Sequence, residues 1–122
     1  MSNTYSDVPP DKLALYAKLI ATHPAIELKG GTKLPYTSHN GNMFTLLTKE
    51  GRVGLRLGQA ERDAFMSKFG AQLVEQYGAV LKEYVEVPDA LLKKTAALKP
   101  WLAQSYAYAQ TLKPKLAKKK AK

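Results

Sequence analysis

The chain has no cysteine among its 122 residues, which excludes disulfides, thiol nucleophiles and thiolate metal sites. Its two histidines, His23 and His39, do not stand in a His-x-x-x-His spacing. No apolar run approaches the roughly 20 residues that a membrane-spanning helix needs. The first residues, Met1-Ser2-Asn3-Thr4-Tyr5-Ser6-Asp7, lack the basic and apolar parts of a signal peptide. A cytoplasmic protein without membrane association is therefore expected. The most informative absence is of acid: no Asp or Glu follows Asp89. Residues 1–89 carry 10 Lys plus Arg against 10 Asp plus Glu, so the whole net charge of +9 resides in the nine lysines from Lys93 to Lys122. A neutral body with a cationic end points to an anionic partner without identifying it.

What is present reads as one α+β domain over residues 1–113, followed by a basic tail, 114–122, too charged and too poor in apolar residues to fold. Asp7 to Thr22 has helical spacing at Leu13, Tyr16, Ala17 and Ile20, with Asp7 as cap, and His23-Pro24 ends it. Asn40-Gly41 is a two-residue hairpin turn, because both positions of that turn need positive φ. Glu50-Gly51 reads as a second such turn. These loops predict Asn42 opposite His39, Phe44 opposite Thr37 and Leu57, and Leu46 opposite Leu55. One sheet face then carries Phe44, Leu46, Val53, Leu55 and Leu57 as core. The other carries Leu34, Tyr36, Met43, Thr45, Leu47, Gly54 and Arg56, and is too apolar to be left bare.

Gly58 to Phe69 reads as a helix stopped by Gly70, and Leu73, Val74 and Tyr77 as a second short helical face. Leu81 to Val87 reads as a strand and Pro88-Asp89 as the opening of a short helix through Lys94. Leu98, Trp101, Leu102, Ser105, Tyr108, Ala109 and Leu112 form the apolar stripe of the last helix, with Pro100 in its first turn. Trp101 is expected to be a core anchor and Tyr108 to pack, while Tyr106 is open to packing or to stacking on a base.

Chemistry finds little to work with. His23 and His39 read as surface polar residues, and Glu27, Glu83 and Glu86 as solvated charges. Lys29-Gly30-Gly31-Thr32-Lys33 lacks the Gly-Lys-Ser/Thr ending of a phosphate loop. No catalytic residue, metal site or cofactor is expected. No helix carries Arg, Asn or Gln at base-reading spacing, so sequence-specific DNA recognition is not expected.

Three motifs carry a family resemblance. Gly41, Met43, Phe44 and Leu46 form a G-x-M-F-x-L strand; Val53, Leu55, Arg56 and Leu57 a V-x-L-R-L strand; Tyr84, Val87 and Pro88 a strand end before the last helices. Over roughly residues 10–112 the chain resembles the TfoX N-terminal-domain family, which is related in fold to the YjbR/MmcQ-like proteins. The resemblance implies an antiparallel β-meander of three to four strands packed with N-terminal and C-terminal helices. It also implies a small regulatory or interaction domain, since family members include a regulator of natural competence and others described as DNA-binding. The second, C-terminal domain of that regulator is not expected here. Two surfaces are the candidates for contact. Lys113, Lys115, Lys118, Lys119, Lys120 and Lys122 would meet nucleic acid by charge alone. Tyr36, Met43 and Arg56 would meet a protein partner or a second copy of the chain. A monomer or a homodimer is compatible with both. A sequence-independent nucleic-acid binder is the alternative to the regulatory domain, and a small-ligand binder or enzyme is a further one.

Overall fold

The computed structural model describes residues 8–29, 34–76 and 78–114. The fold is α+β: α1 (Pro10–Ala21), β1 (Tyr36–His39), β2 (Asn42–Leu47), β3 (Val53–Arg56), α2 (Gln59–Phe69), β4 (Leu73–Gln76), β5 (Ala79–Val87), α3 (Asp89–Leu92) and α4 (Thr95–Thr111). The sheet is antiparallel with five strands in the order β1-β2-β3-β5-β4, one strand more than the meander predicted. The added strand is β4, where the sequence pattern predicts a helical face. Gly70 and Gly78 both have positive φ and bound too short a stretch for a stable helix. Its backbone groups are satisfied instead by pairing with β5.

The first turn is as expected, with Asn40 and Gly41 at φ of +52° and +82° and His39 opposite Asn42. The register beyond it is not. Thr37 faces Thr45, while the next residue, Ser38, faces Met43, so Phe44 is one residue too many and β2 bulges. The second turn also has one residue more than predicted. Thr48 N–H donates to the Arg52 carbonyl and Gly51 N–H to the Thr48 carbonyl, making a loop of Lys49, Glu50 and Gly51 with Gly51 at φ +88°. Thr45 therefore faces Leu55, and Leu46 faces Gly54.

These irregularities reassign the faces of β2. Phe44, Leu47, Val53, Leu55 and Leu57 join the main core beneath the helices, with Tyr16, Leu19, Phe65, Leu98 and Leu102. Thr45 also turns inward, where its hydroxyl lies 2.6 Å from that of Tyr16 and 2.7 Å from that of Thr37. Leu46 leaves this face for the other one, where it packs with Val74, Tyr84, Tyr36, Met43 and Leu81. Neither the first nor the last helix covers that second cluster. Val74 does so from β4, two strands away from β3. A Cβ placed on Gly54 would stand 2.8 Å from the Val74 methyl. The β4–β5 hairpin thus curls over the sheet, helped by its own irregular register at Leu73/Val74.

The helices differ from expectation in detail. Pro9, not Asp7, is the N-cap of α1, and Asp7 lies outside the described residues. α4 starts at Thr95, which puts Pro100 in its second turn. Ala96 and Pro100 are both exposed, so the carbonyl that Pro100 deprives of a partner is open to water. Trp101 is only partly buried, standing edge-on to Phe65 at 5.1 Å and to Phe69 at 6.0 Å. Leu98, Leu102, Ser105 and Ala109 are the buried residues of α4.

Gly54→Ala is expected to lower the unfolding free energy by about 1–3 kcal/mol, because the new methyl must displace Val74 from a packed position. Urea denaturation followed by Trp101 fluorescence measures this. An unchanged midpoint would mean that the curl of the hairpin gives way freely.

Candidate functional site

The lysines of the C-terminal quarter divide into those at the ends of α4 and those beyond it. Lys93, Lys94 and Lys99 are exposed near its start, and Lys113 just past its end. Asn42 Nδ2 donates to the Lys113 carbonyl at 2.7 Å, which anchors this point beside the β1–β2 turn. Lys115, Lys118, Lys119, Lys120 and Lys122, and with them the disordered-tail expectation, lie outside the described residues.

Tyr36, Met43 and Arg56 are brought together as the sequence predicts, around the second apolar cluster. All three are half-buried. Arg56, however, is not simply presented to solvent. Because β2 bulges, its ladder with β3 stops at Thr45, and the carbonyls beyond it need other donors. Arg56 Nη1 donates to the Met43 carbonyl at 3.1 Å and the Tyr84 hydroxyl donates to the same oxygen at 2.8 Å. Ser105, buried on α4, stands 2.9 Å from the Phe44 carbonyl and 2.7 Å from the Arg56 carbonyl, and its one hydroxyl proton is shared between them.

Arg56 Nε also donates to Glu83 Oε1 at 2.7 Å, and its guanidinium lies 5.8 Å from the ring centres of both Tyr84 and Tyr108. Burial works against the charge of Arg56, but the hydrogen bond to Glu83 and the nearby negative potential outweigh it and raise its pKa. Burial likewise opposes ionisation of Glu83, and the Arg56 hydrogen bond and charge reverse the balance, lowering its pKa. Tyr108, expected on the core stripe, is instead turned toward this pair, and burial with the adjacent Glu83 raises its pKa. Ser105, Glu83 and Tyr84 are not site residues by sequence reasoning. The one signal is a serine in an otherwise apolar helical stripe.

The remaining chemistry-bearing residues fall elsewhere. His23 and His39 are not the free surface groups expected. Both are half-buried and stand edge-on to Tyr106, at 5.1 and 5.5 Å, beside Phe44. This also decides Tyr106, which packs. Lys29 donates to Ser38 Oγ at 3.1 Å, while Gly30 to Lys33 lie outside the described residues. Among the described residues, no group of three or more His, Asp or Glu could hold a metal ion, and no helix is long and apolar enough to cross a membrane.

Comparison with known families returns the TfoX N-terminal domain, whose model matches residues 26–109, from beyond the end of α1 through most of α4. No curated protein and no solved structure matches the chain.

Burial pushes the Tyr84 phenol up to about 12, against the pull of Arg56. The folded protein therefore holds that proton more tightly than the unfolded chain, where tyrosine titrates near about 10. The stabilisation is complete below about pH 10 and is lost as pH rises through the folded value. Tyr84→Phe is expected to remove about 1 kcal/mol below that range and to flatten the alkaline fall in stability, since no phenol is left to ionise. Unfolding free energies measured across this pH window in both proteins check it, and parallel curves would contradict it.

Proposed function

The chain belongs to the TfoX N-terminal-domain family, and on that premise we propose that it is a small non-catalytic regulatory domain that engages nucleic acid by charge. The observation that carries this reading is the lysine-only quarter after Asp89. Lys93, Lys94 and Lys99 stand at one end of α4 and Lys113 at the other, all exposed and none in an ion pair among the described residues. A helix of this length is about 25 Å long, comparable to the width of a duplex. Lysines set at both ends of it, and continuing through Lys122, give several weak phosphate contacts whose sum is large and salt-sensitive. The helix between them contributes no acid of its own, although Glu61 of α2 borders its Gln104, Ala107 and Thr111.

The non-catalytic part of the reading is supported by how the polar cluster is used. Arg56, Glu83, Tyr84 and Ser105 are bonded to one another or to strand carbonyls. Their hydrogen bonds close a gap in the sheet rather than converge on an open cavity. Binding without a base-reading helix is expected to be independent of sequence.

Fluorescence anisotropy with a labelled oligonucleotide, titrated at several salt concentrations, tests the proposal. Full-length protein should bind with a steep log–log salt dependence. Truncation after Lys113 should leave unfolding cooperative and remove most of the affinity. It should also flatten the slope by about 0.7–0.9 for each phosphate no longer neutralised. Equal binding by the two proteins would move the site away from the lysines beyond Lys113. Absence of binding by either would reject the nucleic-acid reading.

A further inference from the structure

Three helices meet without closing on one another. The end of α2, the start of α3 and the first turn of α4 leave a groove of about 340 Å³, lined by Phe69, Pro88, Ala90, Leu91, Lys94 and Ala97. All but Lys94 are apolar. Leu91 is buried, Phe69 and Pro88 are half-buried, and Ala90, Lys94 and Ala97 are exposed. The floor is therefore hydrocarbon and the rim is open, because Ala90 and Ala97 carry only methyls where longer side chains would fill the space. Phe69 also belongs to an aromatic row, with the buried Phe65 at 4.8 Å and Trp101 at 6.0 Å, that runs from the core to the groove. The unpaired charge at this rim is positive. Lys94 lines the groove, and Lys68 Nζ stands 5.8 Å from the centre of the Phe69 ring. Neither lysine is in an ion pair among the described residues. Asp89, between Pro88 and Ala90 in the chain, is already held by Lys12 at 2.8 Å. Lys94 and Ala97 also belong to the start of α4, where the helix dipole adds positive potential.

We infer that this groove receives an acidic segment of a partner protein, one aromatic side chain entering against Phe69 and Leu91 while flanking carboxylates meet Lys94 and Lys68. The inference goes beyond the nucleic-acid reading and does not rest on it. An aromatic anchor in an apolar pocket supplies affinity, and complementary charge at the margin supplies orientation. A groove this open cannot enclose most of a small ligand, but it can hold one side chain of a peptide. A nucleic-acid backbone would use the lysines and leave the apolar floor wet. The chain's own C-terminal run repeats the sign of the rim, so it is not the occupant.

The test titrates full-length protein with a short peptide of glutamates and aspartates around a single phenylalanine. Calorimetry gives the affinity. Trp101, the one tryptophan of the chain, reports the place through its contact with Phe69. Wild type should bind with a saturable change in Trp101 emission. Replacing the peptide's phenylalanine by serine should weaken binding by about tenfold or more, since the buried ring is lost. Ala97→Gln, which fills the groove without changing the charge, should do the same. Lys94→Glu should weaken binding at least about threefold and reduce its salt dependence. Both positions are exposed, and circular dichroism under urea establishes that each variant folds. Equal binding of the serine peptide, equal binding by folded Ala97→Gln protein, binding without a change at Trp101, or no binding would each overturn the inference. A labelled oligonucleotide bound equally by wild type and Ala97→Gln keeps the two readings apart, so that loss of one leaves the other standing. If Ala97→Gln weakens the oligonucleotide instead, the groove belongs to nucleic acid and the peptide proposal is wrong.

Discussion

A strand that loses its neighbour leaves carbonyl oxygens that must find donors elsewhere, and the start of β2 is such a place. The bulge at Phe44 ends its ladder with β3 at Thr45. Three side chains from three different elements then supply the missing donors: Ser105 from α4, Arg56 from β3 and Tyr84 from β5. Each buried carbonyl left unmet would be penalised by about 1–3 kcal/mol. The position of α4 over the sheet, the direction of Arg56 and the burial of Tyr84 are therefore tied to one extra residue in one strand. The same residue turns Thr45 inward to Tyr16 and Thr37, linking α1 to the sheet through a chain of buried hydroxyls.

The bulge also decides what the second face looks like. It sends Leu46 outward, where the curled β4–β5 hairpin brings Val74 over Gly54 to bury it. The result is a sheet with a main core under the helices and a smaller cluster opposite, whose edge toward Tyr36 and Met43 stays half-exposed. Electrostatics follows a separate logic. The ion pairs of the body, Lys12–Asp89, Arg52–Glu86 and Arg56–Glu83, use acids that all lie at or before Asp89. The lysines after that point have no acids of their own segment to pair with. A neutral scaffold thus presents an unbalanced cationic segment, and the Asn42–Lys113 contact ties the start of its final run to the hairpin.

Much of this was legible in the sequence, and what was legible shares a cause. Asn40-Gly41 specifies its turn because few residue pairs tolerate positive φ twice. Val53, Leu55 and Leu57 alternate cleanly and are core, and Gly70 stops α2 in the left-handed conformation. Arg56 and Met43 belong to a recognisable family motif, and the match over residues 26–109 agrees with it. Each of these depends on a residue's own conformational limits or on a local pattern. The errors lie where two readings are locally equal. Met43-Phe44-Thr45-Leu46-Leu47 is apolar on both parities, so alternation alone could not show the bulge. Leu73, Val74 and Tyr77 fit a helix as well as a strand over so short a span.

What the sequence determined by itself was therefore the elements bounded by strong local signals, the α+β class, and the charge imbalance after Asp89. Tertiary structure decided the faces. Whether Leu46 or Leu47 enters the core depends on one inserted residue. That residue is tolerated only because distant side chains reach the exposed carbonyls. Ser105 stands 61 residues along the chain from Phe44, Tyr84 stands 41 from Met43, and even Arg56 stands 13 from it. A carbonyl's demand for a donor is local, but which donor meets it depends on the packing of the whole chain. Register, and with it the composition of the open face, is settled only when the fold is complete.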